Sequence, residues 1–226
     1  AERVCVAFDE TRSSLPLAGA CRWTGNPVRE AILSLPIPEE RYGNRQDRVL
    51  HVLVVGGSQG ARVLNQVVPE AMAELTPDQR PKLLHQCGRD RAQELFARYR
   101  ELGIEADVRE FIEDMAAAYY EADLVVCRAG AMTVAEICAV GLAAVLVPYP
   151  YAAGNHQKIN AQYLVSQGAA IALEESEFSA NLLALTVRKF QDDRSRLLSI
   201  AQKARALGRP DAIGRVTGQC LEVVSA

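Results

Sequence analysis

Thr133 and Glu136 have the residue types and spacing to bind a ligand that carries phosphate and hydroxyl groups. They follow the small-residue turn at residues 128–132, which comes directly after the apolar run Leu124–Cys127. Such a turn directs the unpaired N–H groups of a helix start towards phosphate, and a carboxylate beside it accepts hydrogen bonds from a diol such as a ribose. The same spacing fits a capping box, in which both side chains satisfy first-turn amides instead. The sequence leaves both interpretations open.

A second candidate phosphate site is the glycine-rich segment at residues 56–61, which reads Gly-Gly-Ser-Gln-Gly-Ala. It separates an apolar run from a helical pattern, so a phosphate-binding turn is favoured over a plain tight turn. The segment lacks both the complete GxGxxG pattern and the lysine of a P-loop, and neither NAD nor ATP binding is indicated. Ser58 is either a hydroxyl donor to phosphate or a helix N-cap.

A polar cluster at residues 155–160 follows the next apolar run. The side-chain amides of Gln157 and Asn160 suit sugar hydroxyls, because each offers a donor and an acceptor without the cost of desolvating a charge. Both could equally be solvated helix residues. His156 could act as a base, but no acidic residue lies near it in the sequence, so a hydrogen bond at a helix start is favoured.

Arg29 follows the turn at residues 24–27 and is either a phosphate clamp or a solvated residue on a helix surface. We find no nucleophile with a base beside it anywhere in the sequence. Part of any chemistry would therefore have to come from groups outside this chain.

The elements that position these residues alternate regularly from residue 49 onwards. We predict strands at residues 49–55, 82–86, 106–110, 124–127, 144–147 and 169–173, helices between them, and final helices at 180–191, 195–206 and from 211. This alternation implies right-handed crossovers and an α/β fold with a doubly wound, Rossmann-like parallel sheet of about six strands. Ligands of such sheets bind beyond the carboxyl ends of the strands, where all of the candidate segments fall.

The segment before residue 49 is less regular. Two strand-like pieces, at residues 3–7 and 21–24, need a sheet to pair with, such as one in a preceding domain. Pro27 predicts a helix that begins at this proline, and residues 36–48 predict a polar, linker-like surface loop. Because Ala1 opens directly into an apolar run, we expect a fragment, with residues 1–24 the remnant of a preceding domain and linker and residues 25–226 one α/β domain.

Composition restricts the classes of function. The 226 residues are 49% apolar and 23% charged, which is ordinary for a soluble globular protein. A net charge of −3 and a pI near 5.7 argue against a nucleic-acid-binding surface. Six scattered cysteines without a CxxC motif predict small core residues of a reduced, cytoplasmic protein, and three histidines show no metal-site spacing. No apolar segment is long enough to span a bilayer.

Five segments of the chain, in order, resemble the MurG family of glycosyltransferases. They are residues 24–29 (TGNPVR), 54–61 (VVGGSQGA), 111–116 (FIEDMA), 127–136 (CRAGAMTVAE) and 156–161 (HQKINA). The resemblance covers essentially the whole chain, but only the C-terminal half of the family's two-domain GT-B architecture. It implies an inverting transferase of peptidoglycan synthesis that moves GlcNAc from UDP-GlcNAc to lipid I, giving lipid II, with no metal or other cofactor. It also implies a peripheral position on the cytoplasmic side of the cell membrane.

The resemblance further implies which residues bind the donor. They are Arg29, Ser58, Ile112, Ala131, Met132, Thr133, Val134, Ala135, Glu136, Gln157 and Asn160. Ile112 would contact the uracil through its backbone, Glu136 the ribose, and the helix start at residues 131–136 the diphosphate. Gln157 and Asn160 would face the GlcNAc ring, although the nearby loop at residues 151–154 lacks the His and Asp often seen in the family. No catalytic residue is implied in this chain, since the base, the lipid I surface and the membrane contact are expected in the preceding half, and the last helix could return towards that half.

Two other classes of protein stay open at this point. A stand-alone nucleotide-sugar-binding module, acting as a sensor or scaffold, would need the same loops but no partner domain. A Rossmann-type oxidoreductase is a more distant alternative, because the glycine pattern is incomplete.

Overall fold

The computed structural model describes residues 2–9, 18–45 and 48–224. Strands β1 (Val4–Val6) and β2 (Cys21–Trp23) pair in parallel as a separate two-stranded sheet. The sequence predicts both strands and suggests a sheet in a preceding domain as their partner. In the structure the two strands pair with each other instead, with Cys5 opposite Arg22. Residues 10–17, part of the predicted remnant, lie outside the described residues.

The other strands of the described chain form one parallel sheet, which confirms the predicted α/β fold. They are β3 (His51–Val55), β4 (Lys82–Gln86), β5 (Asp107–Arg109), β6 (Leu124–Cys127), β7 (Ala143–Leu146) and β8 (Ile171–Ala172). Their order across the sheet is β5-β4-β3-β6-β7-β8, and every neighbouring pair is parallel. The chain winds outwards from β3 to β5 and then restarts at β6 in the opposite direction. The switch point of the sheet therefore lies between β3 and β6.

The helices cover both faces of this sheet. They are α1 (Glu30–Leu33), α2 (Pro38–Gly43), α3 (Arg62–Ala73), α4 (Ala92–Glu101), α5 (Met115–Glu121), α6 (Ala131–Val140), α7 (His156–Val165), α8 (Ala180–Asp192), α9 (Ser195–Ala206) and α10 (Ala212–Val224). Right-handed crossovers that run in opposite directions place α3 on one face and α6 on the other. On its own face of the sheet, α3 packs against α8, and on the other face α6 packs against α9. All residues of β6 and β7 are consequently buried, as expected for central parallel strands.

The region before β3 corrects two predictions. Helix α1 begins at Glu30, so Pro27 lies in the turn and not at the first helical position. Residues 38–43 form α2 instead of a linker loop, with Arg41 and Tyr42 buried. Arg41 donates to the carbonyls of Val140 and Gly141, and the hydroxyl of Tyr42 accepts from the N–H of Ala143 at 3.1 Å. The polar pattern concealed these contacts because the partners are about a hundred residues away. Residues 46–47 of the predicted loop lie outside the described residues.

The cysteines correct a third prediction in part. Cys21, Cys87, Cys127 and Cys138 are buried, and burial raises the pKa of Cys127 and of Cys138 to about 12, so that both stay thiols. Cys5 and Cys220 are exposed and are not core residues.

The amino-terminal edge of the sheet, opposite the candidate site, carries a buried ion cluster around Asp123. Its carboxylate lies 3.0 Å from Arg48, 3.5 Å from Arg45 and 3.6 Å from Arg194, and accepts from the N–H of His51 at 2.9 Å. The side chain of Asp123 is only 1% exposed. One carboxylate thus joins the start of β6 to the segment between α2 and β3 and to the start of α9.

Candidate functional site

The loops that leave β3, β5, β6 and β7 lie at one edge of the sheet, because parallel strands end on the same side. They comprise residues 56–61, 110–114, 128–130 and 147–155. The first and third flank the switch point between β3 and β6, where an open parallel sheet has its natural crevice. The candidate segments found in the sequence therefore converge as predicted.

Helix α6 begins next to the switch point. Its N-cap is Gly130, and its first helical hydrogen bond runs from the N–H of Val134 to the carbonyl of Gly130 at 2.9 Å. Because glycine has no side chain to accept from them, the N–H groups of Ala131, Met132 and Thr133 are left for solvent or a ligand. The partial positive charge of the helix start adds to this preference for an anion. The side chain of Val134 is buried and its N–H is used in the first helical hydrogen bond, so its predicted contact with a ligand stays a prediction.

The capping-box interpretation of Thr133 and Glu136 is wrong. Helix α6 starts at Ala131, which places Thr133 in the first turn and Glu136 in the second, too far along the helix to reach the first-turn amides. The carboxylate instead lies 3.3 Å from the guanidinium of Arg29 and accepts from the hydroxyl of Tyr119 at 2.9 Å. The structure thus brings together two predicted site residues that are 107 positions apart.

The two partners of Glu136 differ in exposure: Arg29 faces water, and Tyr119 is buried. The side chain of Arg29 is 60% exposed and that of Glu136 is 14% exposed, so the ion pair faces water. Tyr119 is 1% exposed, and burial, together with the neighbouring charge of Glu136, raises the pKa of its hydroxyl well above 10. Tyr119 therefore stays a hydrogen-bond donor at any physiological pH. The sequence did not single it out.

The glycine loop after β3 is shaped by a close backbone approach. Gly60 has a φ of +72°, and a Cβ atom there would lie 2.2 Å from the carbonyl oxygen of Cys87. The N–H of Arg89 donates to the carbonyl of Ser58 at 3.3 Å, which joins this loop to the turn after β4. The N-cap of α3 is Ala61, so the N-cap interpretation of Ser58 is wrong. Ser58 is exposed, and the contact of its hydroxyl with phosphate stays a prediction.

A buried hydrogen-bond chain supports the turn after β4, and sequence reasoning missed it. The amide of Asn65 donates to the carbonyl of Cys87 at 3.0 Å, which leaves its oxygen to accept from Nε2 of His85 at 3.1 Å. Nδ1 of His85 then accepts from the hydroxyl of Tyr99 at 2.8 Å. Burial lowers the pKa of His85 to about 3, which keeps the ring neutral, as this direction of donation requires. These hydrogen bonds hold the turn after β4, which in turn contacts the glycine loop after β3.

The loop after β5 presents Ile112, the predicted uracil contact. Its side chain is buried, while the neighbouring Phe111 is exposed. Asp114 caps α5 by accepting from the N–H of Ala117 at 2.9 Å, and this fixes the end of the loop. A buried side chain is compatible with a backbone contact to a pyrimidine, which stays a prediction.

The amides predicted to face a sugar brace the loops in this structure. Gln157 accepts from the N–H of Tyr149 at 3.0 Å, and the buried Asn160 donates to the carbonyl of Ala129 at 2.9 Å. Nδ1 of His156 donates to the carbonyl of Ala153 at 2.7 Å, which is the hydrogen bond at a helix start that the sequence favoured. Contacts of Gln157 and Asn160 with a sugar stay predictions.

Arg128 fastens the loops after β6 and β7 together, another role that the sequence did not indicate. Its guanidinium donates to the carbonyls of Val147 and Pro148 at 3.1 and 3.3 Å and pairs with Glu175 at 2.5 Å. It also lies over the ring of Tyr149, 5.3 Å from the centroid.

Two features that the described residues lack bear on the kind of site. Within them, no group of three or more His, Cys, Asp or Glu side chains is placed to hold a metal ion. In the same ranges, no helix combines the length and the apolar character needed to cross a membrane.

The parallel sheet and its edge define the C-terminal half of a GT-B glycosyltransferase. Over 98% of the chain, the structure superposes on 65% of the Acinetobacter baumannii MurG crystal structure with a TM-score of 0.78 and 32% identity. A UDP-GlcNAc 2-epimerase from Neisseria meningitidis bound to UDP-GlcNAc shares the fold at 11% identity and a TM-score of 0.62. The model of the glycosyltransferase family 28 C-terminal domain matches residues 51–216, and the chain belongs to this family.

Curated relatives carry the name UDP-N-acetylglucosamine–N-acetylmuramyl-(pentapeptide) pyrophosphoryl-undecaprenol N-acetylglucosamine transferase. The Nitrosococcus oceani protein is 50% identical over 100% of this chain, and the Marinobacter nauticus protein is 48% identical over 90%. The matches cover 62% and 56% of those two proteins. The chain therefore spans about three fifths of the length of these relatives.

Proposed function

We propose that this chain is the donor-binding half of an inverting N-acetylglucosaminyltransferase of peptidoglycan synthesis, which takes GlcNAc from UDP-GlcNAc. The observation that carries the proposal is the start of α6, where the N–H groups of residues 131–133 are left without helical partners beside the switch point and one turn from Glu136. This arrangement offers positive potential for a diphosphate and a carboxylate for a ribose. The names of the relatives support the choice of UDP-GlcNAc as donor and of lipid I as acceptor.

In this proposal the contribution of the chain to catalysis is electrostatic. Cleavage of the bond between the sugar and the diphosphate leaves negative charge on the departing UDP, and the start of α6 stabilises that charge in place. Glu136 accepts from the ribose hydroxyls, and the backbone of Ile112 reads the uracil. The exposed side chain of Arg29 leaves its ion pair with Glu136 and binds a phosphate of the donor instead. Gln157 and Asn160 face the GlcNAc ring, and no metal or other cofactor takes part.

The acceptor side of the reaction belongs to the rest of the protein in this proposal. The base that activates the lipid I hydroxyl, the surface that binds lipid I and the contact with the inner face of the cytoplasmic membrane lie outside these residues. The chain itself, residues 25–226 above all, supplies the binding domain for UDP-GlcNAc.

Calorimetric titration of the 226-residue chain tests the proposal. UDP should account for most of the affinity for UDP-GlcNAc, because the proposed contacts with phosphate, ribose and uracil outnumber those with the sugar. UDP-GalNAc and NAD serve as controls, and NAD should give no heat above dilution. Tighter binding of GlcNAc 1-phosphate than of UDP would show that the nucleotide does not lie at this edge.

Replacing Glu136 by Ala should weaken UDP-GlcNAc binding by about 1–3 kcal/mol, as expected for the loss of a charge-assisted hydrogen bond. The same change removes the acceptor of the buried Tyr119 hydroxyl, so the melting temperature should fall as well. Glu136→Gln is the matched control, since its amide oxygen can still accept from Tyr119 while the charge is lost. We expect this variant to keep most of the stability and still bind the donor less tightly. A lower melting temperature with unchanged donor affinity would leave Glu136 a purely structural role.

A further inference from the structure

Tyr119 lies where it can fix the direction of the Glu136 carboxylate. It belongs to α5, its side chain is 1% exposed, and its hydroxyl donates to Oε2 of Glu136 at 2.9 Å. Because the hydroxyl is buried, it has no water molecule as an alternative partner, and the packing of the ring keeps it pointed at Glu136.

Arg29, the other partner of Glu136, cannot hold the carboxylate in the same way. Its guanidinium lies 3.3 Å from Oε1, but 60% of its side chain is exposed. An ion pair that faces water is weak and easily exchanged, because water and salt screen it. A ligand can therefore displace Arg29 from Oε1 while Tyr119 stays on Oε2.

A carboxylate that is free to turn accepts from a diol less well than one that is held in place, since binding must then also remove its rotational freedom. Each carboxylate oxygen can accept more than one hydrogen bond, so the bond from Tyr119 leaves acceptor sites on Glu136 for two hydroxyls. The raised pKa of Tyr119 ensures that its hydroxyl keeps the proton it donates.

We infer that Tyr119 is a positioning residue for Glu136 and, through it, sets the preference of this site for a ribose diol over a deoxygenated sugar in the nucleotide. This inference rests on the proposed function, in which Glu136 accepts from the ribose. It assigns Tyr119 no contact with the ligand and no part in the chemistry.

The test compares UDP with 2′,3′-dideoxy-UDP by calorimetry on the folded 226-residue chain and on its Tyr119→Phe variant. The phenylalanine ring fills the same pocket, and thermal melting verifies that the variant is folded. We expect the affinity for UDP relative to that for dideoxy-UDP to fall by about three- to tenfold, with dideoxy-UDP affinity unchanged. This is the usual effect of losing one ordinary hydrogen bond, because the bond that is lost positions Glu136 and does not reach the ligand. Tyr42→Phe is the matched control, since it removes another buried tyrosine hydroxyl at the opposite edge, and it should lower the melting temperature without changing the ratio.

Glu136→Ala separates failure of this inference from failure of the proposed function. If Glu136→Ala keeps the wild-type ratio, the ribose does not lie on Glu136 and the proposed placement of the donor fails. If Glu136→Ala removes the preference for UDP while Tyr119→Phe retains it, only the inference about Tyr119 is overturned. An equal loss of both ligands in Tyr119→Phe would also overturn it, because the hydroxyl would then act through the fold. In the Glu136→Ala background, Tyr119→Phe should change the ratio no further.

Discussion

Replacing Asp123 by Ala should lower the free energy of unfolding of the chain by about 3–5 kcal/mol, because it removes a buried carboxylate and leaves one buried and two half-buried arginines without their shared counter-charge. The carboxylate lies within 3.0–3.6 Å of Arg45, Arg48 and Arg194. The arginines also donate to backbone carbonyls, among them that of Tyr120, so they cannot leave for solvent without breaking further hydrogen bonds. Chemical denaturation with an unchanged m-value would measure the loss.

Glu121→Ala is the matched control for Asp123→Ala. Glu121 pairs with the same Arg48 at 3.3 Å, but its side chain is 58% exposed, and a pair of this kind contributes only about 0–1 kcal/mol. Both residues lie at the amino-terminal edge of the sheet, so UDP affinity should be the same in both folded variants. A loss below about 1 kcal/mol for Asp123→Ala would mean that the arginines find other partners, as buried ion clusters sometimes allow.

The centre of the sheet could be predicted from the sequence because strands β3, β6 and β7 are short and buried on both faces. Strand Lys82–Gln86 and helix Ser195–Ala206 have the bounds that the sequence predicted. Apolar runs of strand length alternate with helical segments, and this alternation favours a doubly wound parallel sheet over other folds. The loop predicted at residues 38–43 is wrong because the buried Arg41 and Tyr42 contact backbone groups far along the chain, and no local pattern reports such a contact.

The site was predictable to the level of loops but not of side-chain partners. The rule that ligands bind at the carboxyl ends of parallel strands brought the candidate segments together correctly. The spacing of Thr133 and Glu136 suggested a capping box, and only the position of the helix start at Ala131 excludes it. Tyr119 stands in an Ala-rich stretch and looks like a core residue in the sequence. Its polar role depends on Glu136 of α6, and no local pattern reports that contact. His85 escaped notice for the same reason.

The 226-residue chain is expected to bind UDP-GlcNAc weakly and to transfer no GlcNAc to lipid I. Binding is weak because one face of the site is open to water, so that charged contacts such as that of Arg29 are screened. Transfer needs a base near the sugar. His156, the histidine of the polar cluster, is exposed at this edge of the described residues. Its Nδ1 already donates to the carbonyl of Ala153, so the sequence's one candidate base in this cluster is held in a helix-start hydrogen bond. Absence of a general base by itself typically lowers turnover by about 10²–10⁴-fold.

The measurement is transfer of labelled GlcNAc from UDP-GlcNAc to a lipid I analogue, with the full-length Nitrosococcus oceani relative as the positive control. That relative is 50% identical to the chain over a match that covers 62% of the relative's length, so it contains a counterpart of this chain together with residues outside the match. Calorimetry on the same preparation must show UDP binding, since an unfolded chain would be inactive for a trivial reason. Mixing the chain with the remaining part of the relative should restore some transfer if the two halves divide the work as proposed. Turnover by the chain alone at a rate near that of the relative would refute this division, because a complete set of catalytic groups would then lie within these 226 residues.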